Sequence, residues 1–159
     1  MEEKLKKILV RLQAQCVKRE YCVQDIRKKA MDKCEGDVQA AEEIVASLVA
    51  ERFVSDLRYA CAYAREKSAI SGWGPAKIRY ALSAKHISRS DIDAALEEID
   101  TERSDARLVK LMEHKWKSLE GDPQAKLKLL KYALSRGYGY DQVKDIADRI
   151  TSQSASDDI

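Results

Sequence analysis

Proline and glycine are scarce in this chain of 159 residues, which has two of the former and six of the latter. That scarcity excludes the many tight turns of a β-sandwich or barrel. Aromatic side chains are also few, with one Phe, two Trp and seven Tyr, so a core must be built mainly from Ala, Leu, Ile and Val. Long apolar runs are missing. The mean hydropathy is −0.50 and 35% of residues are charged, whereas a spanning helix needs roughly 20 predominantly apolar residues in succession. The opening Met1-Glu2-Glu3-Lys4-Leu5-Lys6-Lys7 mixes charges of both signs without an apolar block and does not read as a secretory signal. Cys16, Cys22, Cys34 and Cys61 lack metal-ligand spacing and are expected as reduced thiols of a cytoplasmic protein. Cys16 and Cys61 fall within helical stretches and read as small buried apolar groups. The two histidines, His86 and His114, stand 28 residues apart with no Cys between them, which suggests no tetrahedral zinc set. P-loop, dinucleotide and nucleophile motifs are absent. The expectation is therefore no catalytic residue, no metal, no cofactor and no enzyme.

What the chain has is charge sorted into blocks. Its net charge is +2, and without Asp157 and Asp158 of the tail it is +4. From Lys67 to Ser90 there are five cations (Lys67, Lys77, Arg79, Lys85 and Arg89) and no acid. From Pro123 to Tyr140 there are four (Lys126, Lys128, Lys131 and Arg136), again with no acid. Between these runs, Asp91 to Asp105 holds seven acids against the single Arg103.

Apolar residues recur at helical spacing nearly throughout. Leu5, Ile8, Leu9 and Leu12 form a first stripe, a second helix begins after Tyr21, and a third follows Gly36-Asp37. Ser55 is placed to cap a fourth helix. Ser71-Gly72-Trp73-Gly74-Pro75 marks the clearest break, with Pro75 opening the fifth because a first-turn position lacks a bonded N–H anyway. Ser88 with Asp91 resembles a capping box for the sixth. A seventh helix is expected from about Thr101 to Leu119, an eighth opened by Gly121-Asp122-Pro123 and ended by Gly137, and a ninth from about Tyr140 to Thr151. Ile92, Ala95, Leu96 and Ile99 fall 51 residues after Ala41, Ile44, Val45 and Leu48, and 51 before Val143, Ile146, Ala147 and Ile150. This period predicts an all-α protein of three tandem three-helix repeats, at 1–52, 53–100 and 101–151, in an elongated array, curved or straight, followed by a flexible acidic tail at 152–159. No heptad seam is evident, which predicts a monomer.

On the fifth helix Ile78, Ala81 and Leu82 share the inward face, leaving Lys77, Arg79 and Tyr80 outward beside small Ala76, Ser83 and Ala84. That face suits phosphate contact or packing on a partner, and equally a solvated helix surface. Arg27 and Lys28 form a weaker basic face, offset by Asp25 and Asp32 within their own helix. Gly72, Trp73, Gly74 and Pro75 read as a structural junction, with the indole filling a helix–helix corner. The acidic third helices serve either as a partner surface or as pairing surfaces for their basic neighbours.

Several segments match one family in order. They are Arg19-Glu20-Tyr21, Glu51-Arg52-Phe53-Val54-Ser55-Asp56 leading to Arg58-Tyr59-Ala60, Gly72-Trp73-Gly74-Pro75 with Ile78-Arg79, Lys128-Leu129-Leu130-Lys131-Tyr132, and Arg136-Gly137-Tyr138-Gly139-Tyr140-Asp141. Together they resemble RecX, the bacterial regulator of the RecA recombinase, across residues 4–150. The resemblance implies three three-helix modules and binding along the groove of the RecA–DNA filament. It also implies inhibition of strand exchange, ATP hydrolysis and coprotease activity, in the setting of DNA recombination, repair and the SOS response. The partners it implies are the RecA nucleoprotein filament and, weakly or indirectly, single-stranded DNA, with no membrane. On this reading Lys77, Arg79, Tyr80, Lys85, Arg89, Lys126, Lys128, Lys131 and Arg136 form the RecA- or DNA-binding face, with Arg27 and Lys28 as weaker members. The chain departs from the family where Leu57 replaces a usual acid, Cys22 a capping Ser, His86 a Gly, and Gly139 a small polar residue. A helical DNA-binding module or scaffold acting without RecA is the alternative.

Overall fold

The computed structural model describes residues 1–157. Among them the chain forms nine α-helices and no strand: α1 (Glu3–Lys18), α2 (Val23–Lys33), α3 (Val38–Ala50), α4 (Asp56–Ala69), α5 (Pro75–Ala84), α6 (Arg89–Glu97), α7 (Thr101–Ser118), α8 (Ala125–Ser135) and α9 (Tyr140–Asp157). None is long and apolar enough to cross a membrane.

The helix starts follow from short polar side chains that satisfy otherwise unbonded first-turn N–H groups. Asp37 accepts from the N–H of Ala40 at 3.2 Å, Ser55 from Arg58 at 3.2 Å, Ser88 from Asp91 at 3.2 Å and Asp100 from Arg103 at 3.2 Å. Cys22, despite replacing a hydroxyl, still caps α2: its Sγ accepts from the N–H of Asp25 at 3.4 Å. Pro75 is the first residue of α5, as its position predicts. Pro123 is not a helix start. The Asp122 carboxylate takes the N–H of Gln124 at 2.8 Å and the Asp122 carbonyl that of Ala125 at 3.1 Å, so a turn intervenes and α8 opens at Ala125. At the other end α9 runs to Asp157 instead of stopping near Thr151. Asp158 and Ile159 of the expected tail lie outside the described residues.

The chain divides into two compact units. Unit 1 contains Met1–Tyr63 and Leu82–Glu97; unit 2 contains Ala64–Ala81 and the chain from Glu98 onward. Unit 1 has a core of Ile8, Leu12, Ile26, Ala41, Ile44, Val45, Leu48 and Val54. Unit 2 has Leu108, Met112, Leu129, Ala133, Val143, Ile146, Ala147 and Ile150. All four repeated positions of α3 and all four of α9 are buried, whereas in the middle repeat only Ile92 and Ala95 are, and Leu96 and Ile99 are half-buried. The nine-residue α6 offers a shorter inward stripe than its thirteen- and eighteen-residue counterparts.

Candidate functional site

In unit 1 two of the basic candidates, Lys85 and Arg27, are drawn into internal pairs. Lys85 places its Nζ 2.9 and 3.1 Å from the two oxygens of Asp25. Burial pushes the Asp25 carboxyl up, but hydrogen bonds with Lys85 and Cys22 and the charges of Lys85 and Lys28 outweigh it, leaving the group below its ordinary value. The hydrogen bond to Asp25 holds the Lys85 ammonium above its own, against a smaller opposing effect of burial. Arg27 was expected to pair within its helix. Instead its Nε reaches Glu42 of α3 at 2.6 Å, because successive turns of α2 and α3 lie side by side. Arg27, Lys28 and Lys85, assigned to separate basic faces by sequence, line one groove of about 650 Å³ with Met31 and His86. Arg89 is exposed at the start of α6.

The start of α4 is tied to α2 by side chains. Asp56 Oδ1 accepts from the N–H of Val23 at 2.8 Å, so one carboxylate serves the positive ends of both helices. Arg58 donates through Nε to both oxygens of Glu20, at 3.1 and 3.2 Å. An ion pair at the start of α4 is thus made by Arg58, next to the apolar Leu57. All four cysteines are buried, and burial raises the thiols of Cys16, Cys22 and Cys34, which suppresses thiolate chemistry.

In unit 2 the junction at Gly72-Trp73-Gly74-Pro75 is more than a turn. The N–H of Gly74 donates to the carbonyl of Arg136 at 2.6 Å, and that of Ala76 to Gly137 at 3.0 Å. The unsatisfied first N–H groups of α5 thus meet carbonyls released at the end of α8, with the helix dipoles in the attractive sense. The Arg136 guanidinium donates to the Ser71 carbonyl at 2.8 Å and the Tyr138 hydroxyl to the Gly72 carbonyl at 3.0 Å. A Cβ on Gly74 would lie 2.5 Å from the Gly137 oxygen, and one on Gly137 would run into Lys77. Gly137 also has φ 95°, which favours glycine. Trp73 is half-buried with Lys67 and Lys77 over its ring, at 4.9 and 4.3 Å from the centroid. Gly72-Trp73-Gly74-Pro75 is thus one half of a hydrogen-bonded contact within unit 2. Its partner, the corner after α8, was missed, and the glycine in Arg136-Gly137-Tyr138 was the available signal.

On α5, Ile78 and Leu82 are fully buried, Lys77 and Arg79 are half-buried, and Tyr80 is 79% exposed. On α8, Lys126 pairs with Asp148 at 2.8 Å and Lys128 with Asp122 at 2.5 Å. Arg136 lies 5.2 Å over the Tyr132 ring, while Lys131 is exposed. Glu98 pairs with Arg65 at 3.2 Å, so Glu98 and Asp148 both act as pairing partners for neighbouring cations. Among the described residues, no group of three or more His, Cys, Asp or Glu side chains is arranged to hold a metal ion.

Residues 55–96 match the family model described as RecX, second three-helix domain. The chain is 29% identical over 118 residues to the regulatory protein RecX of Clostridium tetani (strain Massachusetts / E88), covering 72% of this chain and 54% of that protein. It is 36% identical over 98 residues to the regulatory protein RecX of Clostridium botulinum (strain Eklund 17B / Type B), covering 59% and 45%. The chain spans about half the length of these curated relatives. Its fold is similar to a crystal structure of regulatory protein RecX, with a TM-score of 0.82 at 24% identity over 92% of this chain and 72% of the other. It is also similar to RecX from Lactobacillus salivarius, with a TM-score of 0.75 at 20% identity over 95% and 99%.

Proposed function

The chain belongs to the RecX family, and on that premise we propose that it is a non-enzymatic regulator that binds the RecA–single-stranded DNA filament and suppresses strand exchange, ATP hydrolysis and coprotease activity. The observation that carries this reading is the coincidence of two features in residues 55–96. They match the second three-helix domain of RecX, and they contain the acid-free α5, on which Tyr80 is 79% exposed beside the half-buried cations Lys77 and Arg79.

The filament-facing residues in unit 2 are Lys77, Arg79 and Tyr80 of α5 and Lys126, Lys128, Lys131 and Arg136 in or beside α8. In unit 1 they are Lys85 and Arg89, with Arg27 and Lys28 adding positive potential. Three linked three-helix repeats, at 1–52, 53–100 and 101–151, gain affinity by binding successive protomers, because each attached repeat raises the effective concentration of the next. Occupying the filament groove denies access to a second duplex and obstructs the protomer movements of ATP turnover.

The test is RecA ATP hydrolysis on single-stranded DNA, titrated with the full chain. Inhibition is expected, and loss well below one molecule per protomer identifies capping or disassembly over simple groove filling. Unchanged hydrolysis with intact filaments overturns the RecA assignment.

A further inference from the structure

The segments that meet at the clasp of unit 2 carry exposed apolar side chains. Ile70, 80% exposed, adjoins Ser71; Tyr80, 79% exposed, lies one turn beyond Ala76; Leu134, 37% exposed, immediately precedes the Ser135-Arg136 end of α8. Tyr140, 57% exposed, follows Tyr138 and Gly139 on the other segment of the clasp. Isolated exposed hydrophobic residues are ordinary on a protein surface, but several carried on segments fastened at one point mark an interaction surface. Four hydrogen bonds fix that point, and neither of the two facing glycines has room for a side chain. The clasped segments are therefore rigid, and anchors mounted beside them lose little conformational freedom on binding.

The charge around these anchors is mostly positive, with Arg107 and Arg136 acting on the Tyr138 hydroxyl ahead of the opposing Asp105. Lys67 to Ser90 and Pro123 to Tyr140 contain no acid, and Asp141 lies at the edge. The cations nearest the clasp are held against protein groups, however. Lys67 and Lys77 lie over Trp73, and Arg136 is engaged by the Ser71 carbonyl and the Tyr132 ring. A phosphate track presents a row of projecting cations, whereas this surface presents tyrosine and aliphatic anchors inside a positive field, the composition of a protein-docking centre.

We propose that Ile70, Tyr80 and Leu134 are the apolar anchors of a docking surface for an acidic protein segment, with Gly74, Gly137 and Tyr138 as the positioning residues that hold the anchors on one rigid corner. The acidic character of the partner follows from charge complementarity. The inference rests on the RecA reading above, under which the partner is an acidic surface of RecA and not the DNA strand.

The experiment measures binding of the full chain to RecA filaments on a defined single-stranded oligonucleotide and, in parallel, to the same oligonucleotide alone. Ile70→Ser, Tyr80→Ala and Leu134→Ser are combined, since all three side chains are exposed and their loss leaves the core intact. The expected result is filament binding at least tenfold weaker, with oligonucleotide binding unchanged. Tyr138→Phe, which removes one clasp hydrogen bond and no anchor, is expected to give a smaller loss in the same direction. Filament binding unchanged by the triple variant, or lost in step with oligonucleotide binding, overturns the docking surface while the regulator reading stands. Wild-type chain that binds no filament overturns the regulator reading and this surface with it.

Discussion

The two units fasten their shares of the middle helices in different ways. In unit 1 the ties are side chains: Asp56 on the first N–H of α2, Asp25 with Lys85, and Glu20 with Arg58. In unit 2 the central ties are main-chain hydrogen bonds from Gly74 and Ala76 to Arg136 and Gly137, reinforced by Tyr138 and Arg136. Arg107 adds a bond to the Ser68 carbonyl. A carboxylate–ammonium tie weakens by degrees as either group loses its charge, or as salt screens it. A backbone clasp has no such adjustment, because it forms only when two surfaces approach to glycine distance. One unit is thus fastened by ionisation and the other by shape.

The largest effect is expected from breaking the clasp. Gly74→Ala sets a methyl group 2.5 Å from a backbone oxygen, an overpacking that costs about 3 kcal/mol. For a chain of this size the midpoint of thermal unfolding should fall by roughly 6–12 °C. A midpoint within a degree of wild type would show that the clasp contributes no stability.

Asp25→Asn should cost less, on the order of 1 kcal/mol at neutral pH, because the pair it breaks is partly solvated. Its pH dependence carries the sharper information. The folded-state value of Asp25 lies below its ordinary value of 3.8, so its contribution is complete above that value and disappears as pH falls through the depressed one. Lys85 is raised above 10.5, so its contribution is complete below that value and disappears as pH rises through the elevated one. Melting curves between pH 2 and 7 should therefore flatten at the acid end in Asp25→Asn relative to wild type, while Gly74→Ala retains the wild-type slope. Parallel slopes in all three proteins would dissolve the distinction between the two fastenings.

The smallest effect has the opposite sign. His86 ends α5 with φ 60°, a left-handed conformation that is unfavourable for a side chain. His86→Gly should relieve it and stabilise unit 1 by about 0.5–1 kcal/mol, after the added backbone freedom of glycine in the unfolded chain is subtracted. Denaturant unfolding checks this, and a lower transition midpoint would mean that the imidazole makes a compensating contact in the groove.

Helix positions were legible because the information for them is local. Caps at Asp37, Ser55, Ser88 and Asp100 and the start at Pro75 act on residues within one turn of themselves. Pro123 was misplaced for an equally local reason, the competing turn made by Asp122. The fate of the basic side chains was far less legible. Sequence spacing distinguishes a charged face from an apolar one, but not whether a cation on that face reaches solvent or an acid on another helix. Arg27 and Glu42 are 15 residues apart, Lys126 and Asp148 are further, and Lys85 and Asp25 are 60 apart. The same limit applies to Gly137, whose place at the end of α8 followed from its neighbours, while its contact with Gly74 depended on a segment before α5, with four helices between the two.

Among the described residues, the sequence by itself determined nine helices and their inward stripes, and it carried the repeat of Ala41, Ile44, Val45 and Leu48 and the two acid-free runs, because propensity, capping and periodicity act within a few turns of chain. Tertiary structure alone decided which cations are consumed in internal pairs, which apolar side chains remain outside, and which two glycines meet. Those outcomes depend on approach distances of a few ångströms between residues far apart in sequence, and no local pattern encodes such a distance.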